Sequence, residues 1–232
     1  MSKNHKLNRK KGKIVVCILV MLLIVLVIVA LLLSRNKMNE SGDSFSSEEI
    51  LLDEGLKIIR TDEYDGPYFE DGSNEEVSGI QMIILENTTE QDLQYAEIIV
   101  EHKDETAEYA VTNLPAGKKV LILEKNRMKY TNKDIMETAL ENIIFLEKMP
   151  LYEDIIEIQG LDGIVNVKNI SENDISSDLY IYYKNIEKEM YLGGITYRIK
   201  IEGGLKAGEI RQLGANHFKA DSCEILMVSG LE

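Results

Sequence analysis

Two patterns of apolar positions divide this chain. Ile14 to Leu33 are twenty consecutive apolar residues without a charge, whereas beyond residue 50 apolar residues come in short runs broken by polar ones. At about 1.5 Å rise per residue, the first run spans about 30 Å, the thickness of a bilayer's hydrocarbon core, and predicts one transmembrane helix. A cleaved secretory leader has a shorter apolar region, of about 7 to 15 residues, ending at a small-residue site. Here the run closes as Ala-Leu-Leu-Leu-Ser, so a retained anchor is expected. The later runs are of strand length and rich in β-branched and aromatic residues. They lie at 77–85, 93–102, 108–112 and 120–123, then at 154–158, 163–167, 179–183, 195–201 and 225–228. Asn87-Thr-Thr, Pro115-Ala-Gly117, Asp162-Gly163, Gly193-Gly194 and Gly203-Gly204 supply turn signals between them. One segment breaks the alternation. Thr131 stands three residues before Asp134, and Ile135, Met136, Ala139 and Leu140 follow at helical spacing, which predicts a short amphipathic connecting helix over 131–142.

An internal repeat organises the strands. Ile83-Ile-Leu-Glu-Asn-Thr-Thr-Glu-Gln-Asp-Leu93 aligns without gaps on Val165-Asn-Val-Lys-Asn-Ile-Ser-Glu-Asn-Asp-Ile175, at an offset of 82. Leu114-Pro-Ala-Gly117 then matches Leu205-Lys-Ala-Gly208, so the second copy carries nine extra residues between these landmarks, expected to lengthen a hairpin around Met190 to Thr196. Short strands with a turn about every ten residues indicate an immunoglobulin-like sandwich. The expected fold is therefore mainly β: one N-terminal transmembrane helix followed by two tandem Ig-like β-sandwich units. The expected organisation is a basic cytoplasmic tail (1–13), the helix (14–33), a polar stalk (34–49), and extracellular units at 50–138 and 139–232. The stalk has five serines and a single aromatic, too little apolar surface to offset chain entropy. Ser46-Ser-Glu-Glu49 before Ile50, Leu51 and Leu52 has capping-box spacing and predicts a short helix at its end.

Charge orients the anchor. Six bases and no acid precede Ile14, and a positive flank resists translocation, so the tail is expected in the cytoplasm and residues 34–232 outside the cell membrane. Of 26 Lys+Arg and 40 Asp+Glu, 20 bases and all 40 acids lie beyond the anchor, a net charge of −20. Such a surface argues against nucleic acid as a partner. A tail of thirteen residues is too short to bury a core, so no catalytic or DNA-reading domain is expected there. Cys17 falls in the apolar run and Cys223 alone lies outside, so no intrachain disulfide framework is expected.

The repeat unit has an apolar strand ending in Asn and a polar turn, then Asp-Leu-Gln-Tyr-Ala-Glu-Ile-Ile-Val (92–100) and Leu-Pro-Ala-Gly (114–117). These strings resemble the FxLYD domains, small extracellular β-sandwiches of Gram-positive bacteria. They cover about a third of each unit, and this chain lacks the tyrosine-aspartate strand ending of that family. More broadly the chain resembles uncharacterised single-pass surface proteins of those bacteria. The resemblance implies an envelope-facing domain without known catalysis.

Candidate chemistry is sparse. His102 and His217 have no Cys or His neighbour at metal-ligand spacing, and neither a zinc motif nor a nucleophile elbow occurs. No cofactor and no enzymatic activity are expected. Two charge anomalies stand out. Thr61 to Glu76 holds seven acids and no base, and Asp62, Asp65, Glu70 and Asp71 there are candidate calcium ligands by composition, although their spacing departs from the EF-hand loop. Lys118 to Lys133 reverses the sign: Lys118, Lys119, Lys125, Arg127, Lys129 and Lys133 face Glu124 alone. This strip either neutralises the acidic loop or docks an anionic wall polymer or an envelope protein, with Met128 and Tyr130 adding apolar contact. The leading expectation is a non-enzymatic, membrane-anchored envelope protein presenting two sandwiches to a protein or wall polymer. An accessory subunit of a secretion, division or pilus assembly is the alternative, and a calcium- or ligand-binding module the third.

Overall fold

The computed structural model describes residues 49–131 and 134–231; the expected tail, anchor and most of the stalk lie outside them, as does Lys133. Among the described residues no helix is long and apolar enough to cross a membrane. The chain between is mainly β. The first six strands of length are β2 (Leu56–Pro67), β3 (Glu76–Asn87), β4 (Asp92–His102), β5 (Thr106–Leu114), β6 (Lys119–Leu123) and β7 (Ile135–Leu146), preceded by the two-residue β1 (Ile50–Leu51). Six more follow: β8 (Ile156–Leu161), β9 (Ile164–Asn169), β10 (Leu179–Glu187), β11 (Met190–Ile201), β12 (Ile210–Gly214) and β13 (Cys223–Ser229).

Period-two burial selects the faces. On β5, Ala107, Tyr109 and Val111 are buried while the residues between them are half-exposed, and they pack with Ile98 and Val100 of β4. The first core closes β2, β3 and β6 over the β5-β4-β7 sheet, through Leu56, Ile58, Ile83, Leu85, Val120 and Ile122. A second core gathers Ile156, Val165, Val167, Ile181, Tyr183, Ile199 and Phe218 between β12-β9-β8 and β11-β10-β13. The two halves have the same strand order, β2-β3-β6 with β5-β4-β7, and β8-β9-β12 with β11-β10-β13.

The aligned turns agree bond by bond. Asn87 Nδ2 donates to the carbonyls of Gln91 (2.8 Å) and Leu114 (3.2 Å), and Asn169 Nδ2 to those of Asn173 (2.8 Å) and Leu205 (3.1 Å). Thr89 and Ser171 each donate a hydroxyl to the preceding asparagine's Oδ1, at 2.7 and 2.8 Å. Asp92 Oδ1 accepts from Ala116 N and Asp174 Oδ1 from Ala207 N, at 2.9 and 2.8 Å. Both asparagines are fully buried, so their amides are satisfied by backbone groups in place of water.

The halves meet in one sheet. Strand β6 pairs in parallel with the start of β11, Lys119 with Met190, Val120 with Tyr191 and Leu121 with Leu192, giving the order β1-β2-β3-β6-β11-β10-β13. Val120 and Tyr191 enter the first core; Leu121 and Leu192 turn the other way, into a small cluster with Tyr68, Phe69 and Met82. Strand β10 divides likewise, Tyr182 and Ile186 packing on the first core and Ile181 and Tyr183 on the second. Burial on both faces makes relative motion of the halves costly.

The nine-residue excess builds this junction. Between the aligned landmarks, the β4–β5 hairpin turns after the pair Glu101 and Thr106, and the β10–β11 hairpin after Glu187 and Met190. Three of the nine residues therefore precede the second turn and six follow it. The mismatch of three is absorbed by a bulge in which Gly193 to Thr196 stand opposite the single residue Lys184. The longer hairpin reaches β6, which the β4–β5 hairpin has no length to do.

Two local expectations are corrected. The segment expected as a helix is strand β7, paired to β4 from Asp92 and Leu146 to His102 and Ile135. Its apolar spacing fits a bulged strand equally well: Asn142 has φ 50° at a register break, and Ile135, Leu140, Ile143 and Phe145 face the first core. Strand β7 crosses the expected border at 138/139 and stays with the first half, so the change of partner comes after Leu146. The short helix expected after Ser46 does not extend through Ile50 and Leu51, which pair with β2 as strand β1.

Candidate functional site

Two ionic side chains withdrawn from water lie at the junction. Lys184 is fully buried, and its Nζ donates to the carbonyls of Gly193 (2.8 Å), Gly194 (2.6 Å) and Ile195 (2.8 Å). Glu70, carried in by the loop after β2, takes amides of the same bulge: Gly194 N at 2.9 Å and Ile195 N at 3.3 Å, and also Leu123 N of β6 at 2.9 Å. A bulge frees its carbonyls and amides from the ladder, and these two side chains satisfy them in place of a strand. Burial pushes the Lys184 ammonium down to about 7, with the Glu70 carboxylate opposing it. Burial raises Glu70, against the amides that favour its charged form. Thr112 of β5 completes the seam, donating to Gly194 O at 3.1 Å and lying 2.6 Å from Thr196 Oγ1. The site is closed and fixes the bulge.

Beside it opens a cleft of about 400 Å³. One wall is the loop after β2, with Pro67, Phe69 and Asn74; the other is the β12–β13 connection, with Asn216, His217, Lys219 and Ser222. Asn185, Ile186, Glu187 and Leu192 from the β10–β11 hairpin complete the lining. Asn74 Nδ2 approaches His217 Nδ1 at 3.3 Å across the mouth, and His217 stacks on Tyr197 with ring centroids 4.9 Å apart. Below the lining, Cys223 Sγ donates to Asn185 Oδ1 at 3.1 Å, and burial raises the thiol's pKa, so it is held as a thiol and not as a nucleophilic thiolate.

The basic strip is largely occupied within its own half. Arg127 binds Asp71 at 2.9 Å and Glu75 at 2.8 Å and lies 4.4 Å over the Tyr68 ring. Lys125 pairs with Glu108 at 3.4 Å, Lys119 with Glu86 at 3.7 Å, and Lys129 donates to the Ser78 carbonyl. Lys118 is exposed at the start of β6. Glu124, the strip's one acid, is buried and accepts from the amides of Asn126 (2.8 Å) and Met128 (2.7 Å), which folds the turn. Tyr68 donates to the carbonyls of Glu124 (3.1 Å) and Lys125 (2.9 Å), and burial pushes its hydroxyl up to about 12. Reversing Arg127 to Glu would set three carboxylates together, so it is expected to loosen the loop over Tyr68, read as a lower unfolding midpoint. An unchanged midpoint would mean these pairs are purely cosmetic to the fold.

The four candidate calcium ligands do not converge. Asp62 pairs with Arg60, Asp65 Oδ1 accepts from Gly79 N at 2.8 Å, Asp71 binds Arg127 and Glu70 is committed to the bulge. Among the described residues no three His, Cys, Asp or Glu side chains come together as a metal site. His102 is buried, with Gln81 Nε2 2.9 Å from its Nε2.

Lys184 was missed by sequence reading, although a lysine inside Leu-Tyr-Ile-Tyr-Tyr-Lys-Asn-Ile is a visible anomaly in an apolar run. Gly193-Gly194 was legible as a break but reads as a hairpin end, one turn too far along the chain. The cleft has no sequence signature, because its walls are far apart in the chain, Phe69 and Asn74 on one side and Asn216 and His217 on the other. Comparison with protein-family models, with curated proteins and with solved structures finds no match.

Proposed function

We propose that this chain is a membrane-anchored, non-enzymatic binding protein of the cell envelope, with residues 34–232 outside the membrane and two immunoglobulin-like units, related by duplication, acting as one rigid body. The observation that carries the reading is the parallel β6–β11 pairing, which joins both halves in one sheet and leaves a polar cleft on its surface. Two sandwiches on a flexible tether sample many orientations, whereas a fused pair presents one fixed surface and loses less entropy on binding. The uninterrupted apolar run with its basic flank supports the anchor and its direction. The strip from Lys118 to Lys133 gives an anionic wall polymer little to bind, since Arg127, Lys125 and Lys119 already pair with acids of this chain.

Protease treatment of intact, wall-stripped cells tests the topology. The expected result is loss of the part beyond residue 34, with the amino-terminal segment retained in the membrane fraction. Full protection would overturn the outward orientation, and a mature amino terminus beyond Leu33 would overturn the anchor.

A further inference from the structure

We infer that the cleft between the loop after β2 and the β12–β13 connection is a saccharide-binding site that takes one or two sugar rings. The inference rests on the reading of this body as a binding module and names the ligand of its open site.

Four observations point to this ligand. The cleft's volume, about 400 Å³, falls within the lower part of the range of small-molecule sites and is too small for a folded partner's loop. Its polar lining is mostly neutral: Asn74, Asn185, Asn216 and Ser222, groups that both donate and accept. Vicinal hydroxyls also donate and accept, so planar amides match them without the desolvation penalty that a charged lining would carry. The charged lining is Lys219 against Glu187, a balance that gives no excess positive charge for a polyanion. Finally, Phe69, Pro67, Leu192 and Ile186 supply an apolar wall. A pyranose has one face of C–H bonds and an equator of hydroxyls, and an aromatic ring beside amides meets both.

The architecture keeps these groups ready. Asn185 is held by the Cys223 thiol through Oδ1, which leaves its Nδ2 donors directed by a fixed amide plane. His217 is fixed by stacking on Tyr197 and by Asn74. Leu192 and Asn185 are paired residues of the β10–β11 hairpin, so the nine-residue excess that joins the halves also builds the floor of the cleft. The aligned β4–β5 hairpin is shorter and builds no such floor, so binding is expected at one site per chain.

The test uses the full chain in a zwitterionic, sugar-free detergent, titrated with N-acetylglucosamine trimer, maltotriose and inorganic phosphate. At least one trisaccharide should bind saturably, with a Kd of about 1 mM or tighter, and phosphate should not compete. Asn74→Gly, which keeps the left-handed φ of 53°, with Asn216→Ala should weaken binding about tenfold, and Asn216→Trp, which fills the cleft, should abolish it, each with an unchanged unfolding midpoint. Equal binding by wild type and Asn216→Trp would place the sugar elsewhere and overturn the site. Saturable phosphate binding that displaces the sugar, or failure of both trisaccharides, would overturn the ligand class. Outward exposure in the protease experiment together with either result would leave the envelope reading standing and remove only this site.

Discussion

Lys184→Met is expected to destabilise the folded chain by about 3 kcal/mol, since each buried acceptor left without its donor costs about 1 to 3 kcal/mol. The ammonium saturates three carbonyls of the bulge, and methionine fills its volume but donates nothing. Glu70→Gln should cost less, because a glutamine oxygen still accepts from Gly194 and Leu123. The double variant should recover part of the sum, with a coupling of about 0.5 to 3 kcal/mol, since neither charge is then opposed or stranded. Denaturant unfolding followed by tyrosine fluorescence suits a chain with 11 Tyr and no Trp. Loss of less than about 1 kcal/mol for Lys184→Met would show that the bulge holds without its cation. The pH dependence has a definite sign. Burial lowers the folded pKa of Lys184 to about 7 from 10.5, so across that interval the unfolded chain keeps a proton that the folded chain has released. Stability contributed by this group therefore rises with pH between those values, and the rise should vanish in Lys184→Met.

Gly194→Ala should be similarly damaging, by about 3 kcal/mol, for a steric reason. A Cβ at this position would lie 1.9 Å from the Ala110 carbonyl oxygen of β5, a backbone atom with no rotamer to escape into. Strands β5 and β11 would have to part, taking the Thr112 and Thr196 contacts with them. Gly208→Ala is the control: its φ is +74° and nothing lies within 4 Å of the added carbon, so only the left-handed backbone is strained, at about 1 kcal/mol. Equal losses at the two glycines would mean that the close approach of β5 and β11 is not what fixes the halves.

Both variants act at a place whose role no short sequence pattern reveals. Alternation of apolar residues was enough to locate most strands, because each half-buried face repeats every two residues whatever its partner. Strand β2 escaped notice altogether, since Asp62, Glu63 and Asp65 break its apolar pattern where β1 no longer pairs and charged residues suit a free edge. Strand β7 was misread because four apolar residues at helical spacing also fit a bulged strand, and only pairing with β4 decides between them. Of the proposed contact residues, the six bases were legible as a charge run, but their partners Asp71, Glu75, Glu86 and Glu108 come from other strands and loops.

The sequence by itself determined the mainly β character, the aligned asparagine turns and the nine-residue excess, all of which rest on local backbone preferences and on hydrogen bonds made within a few residues of the turn or to its matched Leu-x-Ala-Gly string. What only the tertiary structure decided was the use of that excess. It lengthens a hairpin until its tip pairs with β6, places Lys184 and Glu70 on the two sets of backbone groups that the bulge sets free, and brings Phe69 and Asn74 to face Asn216 and His217. Apart from Lys184, whose carbonyl partners lie 9 to 11 residues along the chain, those contacts join segments about 70 to 150 residues apart, and their energy comes from burial and from satisfying buried backbone groups, which depend on where the other half of the chain lies.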